Sequence, residues 1–271
     1  MNPTRVLYVA SSTAPFLAMP PLSDHVSNLS ETMTLSPEHQ VRLLLPRFGV
    51  IDQRTNSIYE TIRLSGINIP IGKDRISLVV KVPSVRGVKT PIYFIDNEEL
   101  FERKGVFTDP TGKFYKDNDV RALFFCKSVL AILEKLAWIP HVIHCHGWMS
   151  AFLPIYLKRA YVESHPLRQT KSIYTLYEDA FEEQLSEDFF KHVRYKQVKT
   201  AEIEKIMPDK KVGFGQLTNL AMTHADKVTR TFDSTNQPAW GNTSYEEATY
   251  VPVDDQAAET YESLYESLRG E

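Results

Sequence analysis

The sequence predicts an α/β fold: a Rossmann-like, mostly parallel sheet flanked by helices, with a set of β-strands inserted into it. Three observations point there. Short apolar runs such as Arg5–Ala10 (RVLYVA) and Gln40–Pro46 (QVRLLLP) lack a sustained polar alternation, as strands covered on both faces do. Strand and helix patterns alternate from 140 to 176, which requires right-handed crossovers between parallel strands. Between Ile58 and Ile95 that alternation stops. Runs at 60–71, 75–83 and 91–95, rich in β-branched residues, are separated there by turn residues.

The first strand ends in Ser11, Ser12 and Thr13 and a turn at Pro15, and Leu22–Thr34 has the spacing of an amphipathic helix. A first strand, loop and helix of this kind place ligands at the carboxyl ends of sheet strands. The second strand closes at Pro46 and the turn around Gly49. Gly72-Lys73-Asp74 and Ser84-Val85-Arg86-Gly87 are turns between the inserted strands. Asp96 and Asn97 offer a cap for a short helix through Glu102, and Gly105–Asn118 (GVFTDPTGKFYKDN) has loop composition. Asn118 or Asp119 caps a long helix to about Leu136, with Leu123, Phe124, Lys127, Val129, Leu130 and Leu133 at helical spacing. Val142–His146 is a buried strand, Trp148–Tyr161 a helix, Lys171–Leu176 a strand, Val212–Thr223 a helix and Lys227–Thr231 a final strand. Residues 233–253, with Pro238 and Pro252, read as an extended linker. Asp254–Leu268 reads as an amphipathic helix with Tyr261, Leu264, Tyr265 and Leu268 on one stripe.

At 271 residues the chain can bury a sizeable core, and its 42% hydrophobic and 24% charged content is ordinary for a soluble globular protein. A net charge of −3 gives no reason to expect a nucleic-acid or membrane partner. The charge is uneven: residues 233–271 carry nine acidic groups and one basic, which leaves the remainder net positive by five. Cys126 and Cys145 do not make a disulfide framework and suit a reducing cytosol. No signal-peptide pattern is present, and no apolar stretch reaches the roughly 18 residues of a membrane span. The expected location is the cytoplasm.

His144-Cys145-His146 closes one buried strand. Alternation sends both imidazoles to the face opposite the thiol, and no second ligand pair stands at zinc spacing, so no metal site is expected. At a strand's carboxyl end His146 either faces a ligand cleft or makes a structural hydrogen bond. Glu178, Asp179, Glu182 and Glu183 follow the strand that ends at Leu176. Such carboxylates serve acid–base work as in glycoside hydrolysis or, more commonly, complement the dipole in a helix's first turn. His25 and His224 lie on predicted helices with no obvious nucleophile beside them. The absence of G-x-S-x-G and G-x-G-x-x-G patterns weighs against a serine hydrolase and a dehydrogenase.

Five ordered segments together resemble the glycogen and starch synthases, retaining glycosyltransferases of GT-B fold that use ADP-glucose or UDP-glucose. LYVASSTAPF at the first strand is one, and Pro46-Arg47-Phe48-Gly49 is similar to the family's L-P-R-Y-G. Tyr115-Lys116-Asp117-Asn118-Asp119-Val120-Arg121 matches its Y-x-D-N-x-x-R, and His144-Cys145-His146-Gly147-Trp148 is close to H-C-H-D-W. Ala225-Asp226-Lys227-Val228-Thr229 resembles its A-D-K-V-T. The resemblance implies a GT-B N-terminal domain over 1–232, a linker over 233–253 and a C-terminal helix over 254–271 that packs back on the domain, as the synthases' final helix does.

The departures from the family bear on function. Its donor- and acceptor-contacting loop, K-T-G-G-L-A-D-V, falls here on Ala18-Met19-Pro20-Pro21-Leu22-Ser23-Asp24-His25. The lysine is gone, and both glycines are prolines, which lack the amide donor and fix φ. The Asp of H-C-H-D-W is Gly147, and the His and Asn of T-I-H-N-L-A-Y-Q-G are Tyr177 and Glu178. The family's lysine before A-D-K-V-T aligns with Asn219. Asp24, His146, Tyr177, Glu178 and Asn219 are therefore the sugar-cleft positions, and Ala18, Met19, Pro20 and Pro21 form a degenerate donor loop. No catalytic residue and no cofactor is assigned. The chain passes from Thr231 into a linker, where the family has its nucleotide-sugar-binding domain. The expectation is a synthase-like domain without autonomous glucosyltransferase activity, with α-glucan or a protein of glycogen metabolism as partner. Two alternatives stand: a divergent glucosyltransferase active alone or with a separate donor-binding chain, and a structural module with a vestigial cleft. Trp240 in the linker is a further, weak candidate for stacking on sugar.

Overall fold

The structure is a computed structural model that describes residues 2–52, 58–208, 211–233, 247–254 and 256–270. Its elements in chain order are β1 (Thr4–Val9), α1 (Leu22–Leu35), β2 (His39–Pro46), β3 (Tyr59–Ile71), β4 (Asp74–Ser84), β5 (Ile92–Asp96), α2 (Glu98–Phe101) and α3 (Asn118–Leu136). They continue with β6 (Val142–His146), α4 (Leu153–Arg159), β7 (Lys171–Leu176), α5 (Phe189–His192), α6 (Thr200–Ile206), α7 (Phe214–His224), β8 (Lys227–Arg230), β9 (Thr249–Tyr250) and α8 (Ala257–Gly270). Among the described residues nine strands form one sheet in the order β3-β4-β5-β2-β1-β6-β7-β8-β9.

From β5 to β9 all neighbours are parallel, with Tyr8 of β1 opposite Leu43 of β2 and His144 of β6. The inserted strands form an antiparallel edge, β3 on β4 and β4 on β5, joined at Gly72, whose φ of 59° suits a residue without Cβ. Strand alternation divides the buried side chains between two faces. Tyr8, His144, Thr175 and Thr229 point to the side covered by α1 and α8. Cys145 and Tyr174 point to the side of α3 and α7, where Cys126 of α3 donates to the Met149 carbonyl. Helix α1 buries Leu22, His25, Val26, Leu29 and Met33, the spacing of a single apolar stripe.

Several boundaries differ from expectation. The helix predicted from Trp148 to Tyr161 is a 3-10 turn over Trp148–Ser150 followed by α4, which starts with Pro154 in its first turn. Helix α3 is capped by neither Asn118 nor Asp119: Asp117 precedes its first residue and spends its carboxylate on Arg103, at 2.6 and 2.8 Å. No helix begins at Glu178–Glu183; residues 177–188 are irregular, and the short α5 comes only after them. Part of the expected linker is strand β9, whose Thr249 and Tyr250 pair with Thr229 and Arg230. Trp240 lies outside the described residues.

The Tyr115–Arg121 segment is structural. Arg121 is fully buried, donates to the Leu100 carbonyl at 2.7 Å and to Asn118 Oδ1, and lies over the rings of Phe48, Phe101 and Tyr115. Asn118 donates to the Phe107 carbonyl, so the loop before α3 is tied down. Further along α3, the buried Lys127 ammonium donates to the carbonyls of Pro70, His192 and Arg194 at 2.7–3.0 Å. Burial lowers its pKa to about 7.

Candidate functional site: a closed histidine–tyrosine network on the sheet

The site is built where β1, β6 and β7 run side by side. Register places Tyr8 opposite His144, and alternation then puts His146 on the same face two residues on, with the two imidazole centroids 3.9 Å apart. Tyr8 stacks against His146 at 5.6 Å. Helix α8 closes over this face. Its Tyr261 and Tyr265, one turn apart, are both fully buried.

A continuous chain of hydrogen bonds results. Tyr8 Oη lies 2.8 Å from Tyr265 Oη, which lies 2.7 Å from His144 Nδ1. His144 Nε2 is 2.6 Å from Thr175 Oγ1, which is 2.7 Å from Thr229 Oγ1; Thr229 reaches Tyr261 Oη at 2.9 Å. A neutral imidazole donates from one nitrogen and accepts at the other, so the His144 tautomer sets the direction of the chain on either side of it. Burial holds His144 and His146 well below the ordinary histidine pKa and pushes Tyr265 well above the ordinary phenol range, so all of them are uncharged at neutral pH.

A second group sits at the carboxyl ends of the strands. Tyr177 Oη lies 2.7 Å from His146 Nδ1 and 2.8 Å from His25 Nδ1. The phenol has a single hydrogen, so if both bonds form, it donates to one ring and accepts from the other. The two histidines then hold opposite tautomers. Neither Nε2 has a partner among the described residues. Burial lowers His25 to about 4.

Beside this group Gly147 takes φ 72°, outside the region ordinary residues prefer. A Cβ there would meet Asp179 Oδ2 at 2.5 Å and Leu22 Cδ1 at 2.7 Å. Asp179 therefore brings a carboxylate from the β7 loop into space that a side chain at 147 would otherwise enter, and accepts from the Trp148 amide at 3.2 Å. Desolvation raises this carboxyl to about 7.

Of the positions expected to line a sugar cleft, His146 and Tyr177 come together, but in contact with each other, and they are 0% and 1% exposed. Glu178 and Asn219 are exposed, on the β7 loop and on α7. Asp24 is exposed on the first turn of α1, accepting from Ser23 Oγ. Ala18 and Pro20 are exposed, Met19 and Pro21 half-buried, and Ser23 Oγ takes the Met19 amide at 2.9 Å. Tyr8 and Tyr265 are missed by sequence reasoning as site residues, and Asp179 is singled out only as one of four carboxylates after β7 that read more readily as a helix start. The Tyr261–Tyr265 stripe is the one signal for α8, and it gives no partner. Among the described residues no group of three or more His, Cys, Asp or Glu is placed to hold a metal ion.

A mostly parallel sheet flanked by helices, with a histidine-bearing strand end and a returning helix α8, is the Rossmann-like architecture found in one half of a GT-B fold. The chain belongs to the starch synthase catalytic domain family, whose model matches residues 5–236. It is similar to the glycogen synthase of Pelodictyon phaeoclathratiforme, 33% identical over 175 residues that cover 64% of this chain and 35% of that one. To the glycogen synthase of Chlorobaculum tepidum it is 28% identical over 232 residues, 84% of this chain and 46% of that one. The fold is that of the catalytic domain of starch synthase IV from Arabidopsis thaliana, solved with ADP and acarbose, at a TM-score of 0.67 and 17% identity over 98% of this chain and 50% of that one. The chain thus spans between about a third and a half of the length of the relatives it matches.

Proposed function

We propose that this domain does not transfer glucose by itself and instead engages α-glucan, or a protein of glycogen metabolism, in the cytoplasm. One observation carries this: the polar groups at the ends of β6 and β7 are bonded to each other. His146, Tyr177 and His25 close on one another at 2.7 and 2.8 Å, so a sugar would first have to break those contacts. The loop at Ala18–Pro21 supports it, because two prolines offer no amide to a phosphate where the family motif has two glycines. Two free, buried cysteines are consistent with a reducing compartment.

Calorimetric titration with ADP-glucose, UDP-glucose and a maltooligosaccharide, followed by a glucose-transfer assay on glycogen, tests the proposal. Glucan binding without nucleotide-sugar binding supports it; measurable transfer by the purified chain sinks it. The rival transferase reading has one specific observation in its favour, the Asp179 carboxyl of pKa about 7 beside Gly147. If transfer is found, Asp179→Asn is the variant that should abolish it.

A further inference from the structure

At the opposite end of the strands lies a cavity of about 480 Å³. His141 precedes β6, Lys171 opens β7 and Asp226 precedes β8; Lys158 comes from α4, Arg168 from the 3-10 turn at Pro166–Gln169, and Arg269 from α8. Lys158, Arg168, Lys171 and Arg269 thus line this space with one carboxylate, Asp226, in a chain whose net charge is −3, and Arg269 also borders a neighbouring pocket that holds Glu38 and Glu266. The Asp226 carboxylate is already engaged. Asp226 Oδ2 accepts from the Ser172 amide at 2.8 Å and its hydroxyl at 3.1 Å, and Oδ1 lies 3.6 Å from Lys158 Nζ. Among the described residues Arg168 pairs with the exposed Glu163, at 3.3 Å, a contact that water screens. Arg269 donates to the neutral Thr4 hydroxyl at 2.9 Å. Behind His141, the Arg5 guanidinium approaches its Nε2 at 3.4 Å, and burial, with Arg5 and Arg269 adding to it, favours the neutral ring.

Lys158, Arg168 and Arg269 each sit in the last turn of a helix, where a cation offsets the negative end of the dipole. That accounts for one charge per helix. It does not account for three of them converging, with Lys171, on one concave space. Such a field favours a compact dianion, and guanidinium forks match phosphate oxygens. The volume exceeds that of a free phosphate and suits a small metabolite.

We propose that this cavity binds a phosphate monoester, a small metabolite held through its phosphate by Arg168, Lys171, Lys158 and Arg269. Because Leu268 and Arg269 form one wall, occupancy holds α8 on the sheet. The site lies away from His146 and Tyr177, so it stands or falls independently of the proposed function.

The test is calorimetry and thermal unfolding of the full chain with a hexose monophosphate, inorganic phosphate and the uncharged hexose, at ionic strength fixed with sodium chloride. The monoester should bind about tenfold tighter than inorganic phosphate, raise Tm, and leave the uncharged hexose without effect. Arg168→Ala and Lys171→Ala, and separately Arg269→Ala, should each weaken monoester binding about tenfold. Arg168 is partly exposed, so its variant should fold with unchanged Tm in the absence of ligand. Equal effects of chloride and phosphate, equal binding of phosphate and monoester, or binding indifferent to these substitutions would each overturn the proposal.

Discussion

Replacing Tyr265 with phenylalanine removes one oxygen from the fully buried network under α8. That oxygen bridges Tyr8 Oη at 2.8 Å and His144 Nδ1 at 2.7 Å. Two such bonds contribute about 0.5–1.5 kcal/mol each, and leaving the Tyr8 hydroxyl without the partner shown for it adds desolvation, giving a loss of about 2–3 kcal/mol. Tyr261→Phe is the matched control. There Thr175 and Thr229 keep their mutual bond at 2.7 Å and Thr175 keeps His144 at 2.6 Å. The loss should be about 1 kcal/mol or less, since no group is stranded. Urea unfolding at a common m value separates the two. For a chain of this size the Tyr265→Phe loss corresponds to a fall in Tm of roughly 4–12 °C. Equal midpoints for the two variants would refute the network as the device that seats α8.

Acidification should destabilise the protein. His25, held to about 4, and His144 and His146, held well below their ordinary value, stay neutral when folded but take up protons near pH 6.5 when unfolded. Stability is therefore complete above that pH and falls below it. Asp179, raised to about 7, acts oppositely with one proton. These four groups together net about two protons, or on the order of 2–3 kcal/mol per pH unit near pH 5; a Tm constant from pH 7 to 5 contradicts this. Gly147→Ala should cost about 2–4 kcal/mol by chemical denaturation, from a φ of 72° and a Cβ 2.7 Å from Leu22 Cδ1. Lys127→Met strands three carbonyls and should cost about 3 kcal/mol; a loss under about 1 kcal/mol would mean water reaches them.

The parallel strands are legible in the sequence because burial on both faces leaves an apolar run that few other structures produce, as in Arg5–Ala10 and Val142–His146. The hairpin of β3 and β4 is legible from its turn residues. The site is less so. Alternation puts His144 and His146 on one face, but that Tyr8 stands opposite His144 depends on strand register, which one-dimensional periodicity does not contain. Tyr177 reads as a lost family residue, and only the structure shows it bonded to two histidines. The carboxylates after β7 look like a helix start; instead Asp179 folds inward because Gly147 leaves room for it.

Tyr8 and Tyr265 are hydrogen-bonded across 257 residues of chain. During synthesis the sheet can assemble long before the last helix exists, and its face of imidazoles and hydroxyls must meanwhile stay hydrated. Docking of α8 is therefore the step that expels water from this face. That step closes a long loop, and its rate should depend on the chain between β8 and α8 rather than on the strands themselves.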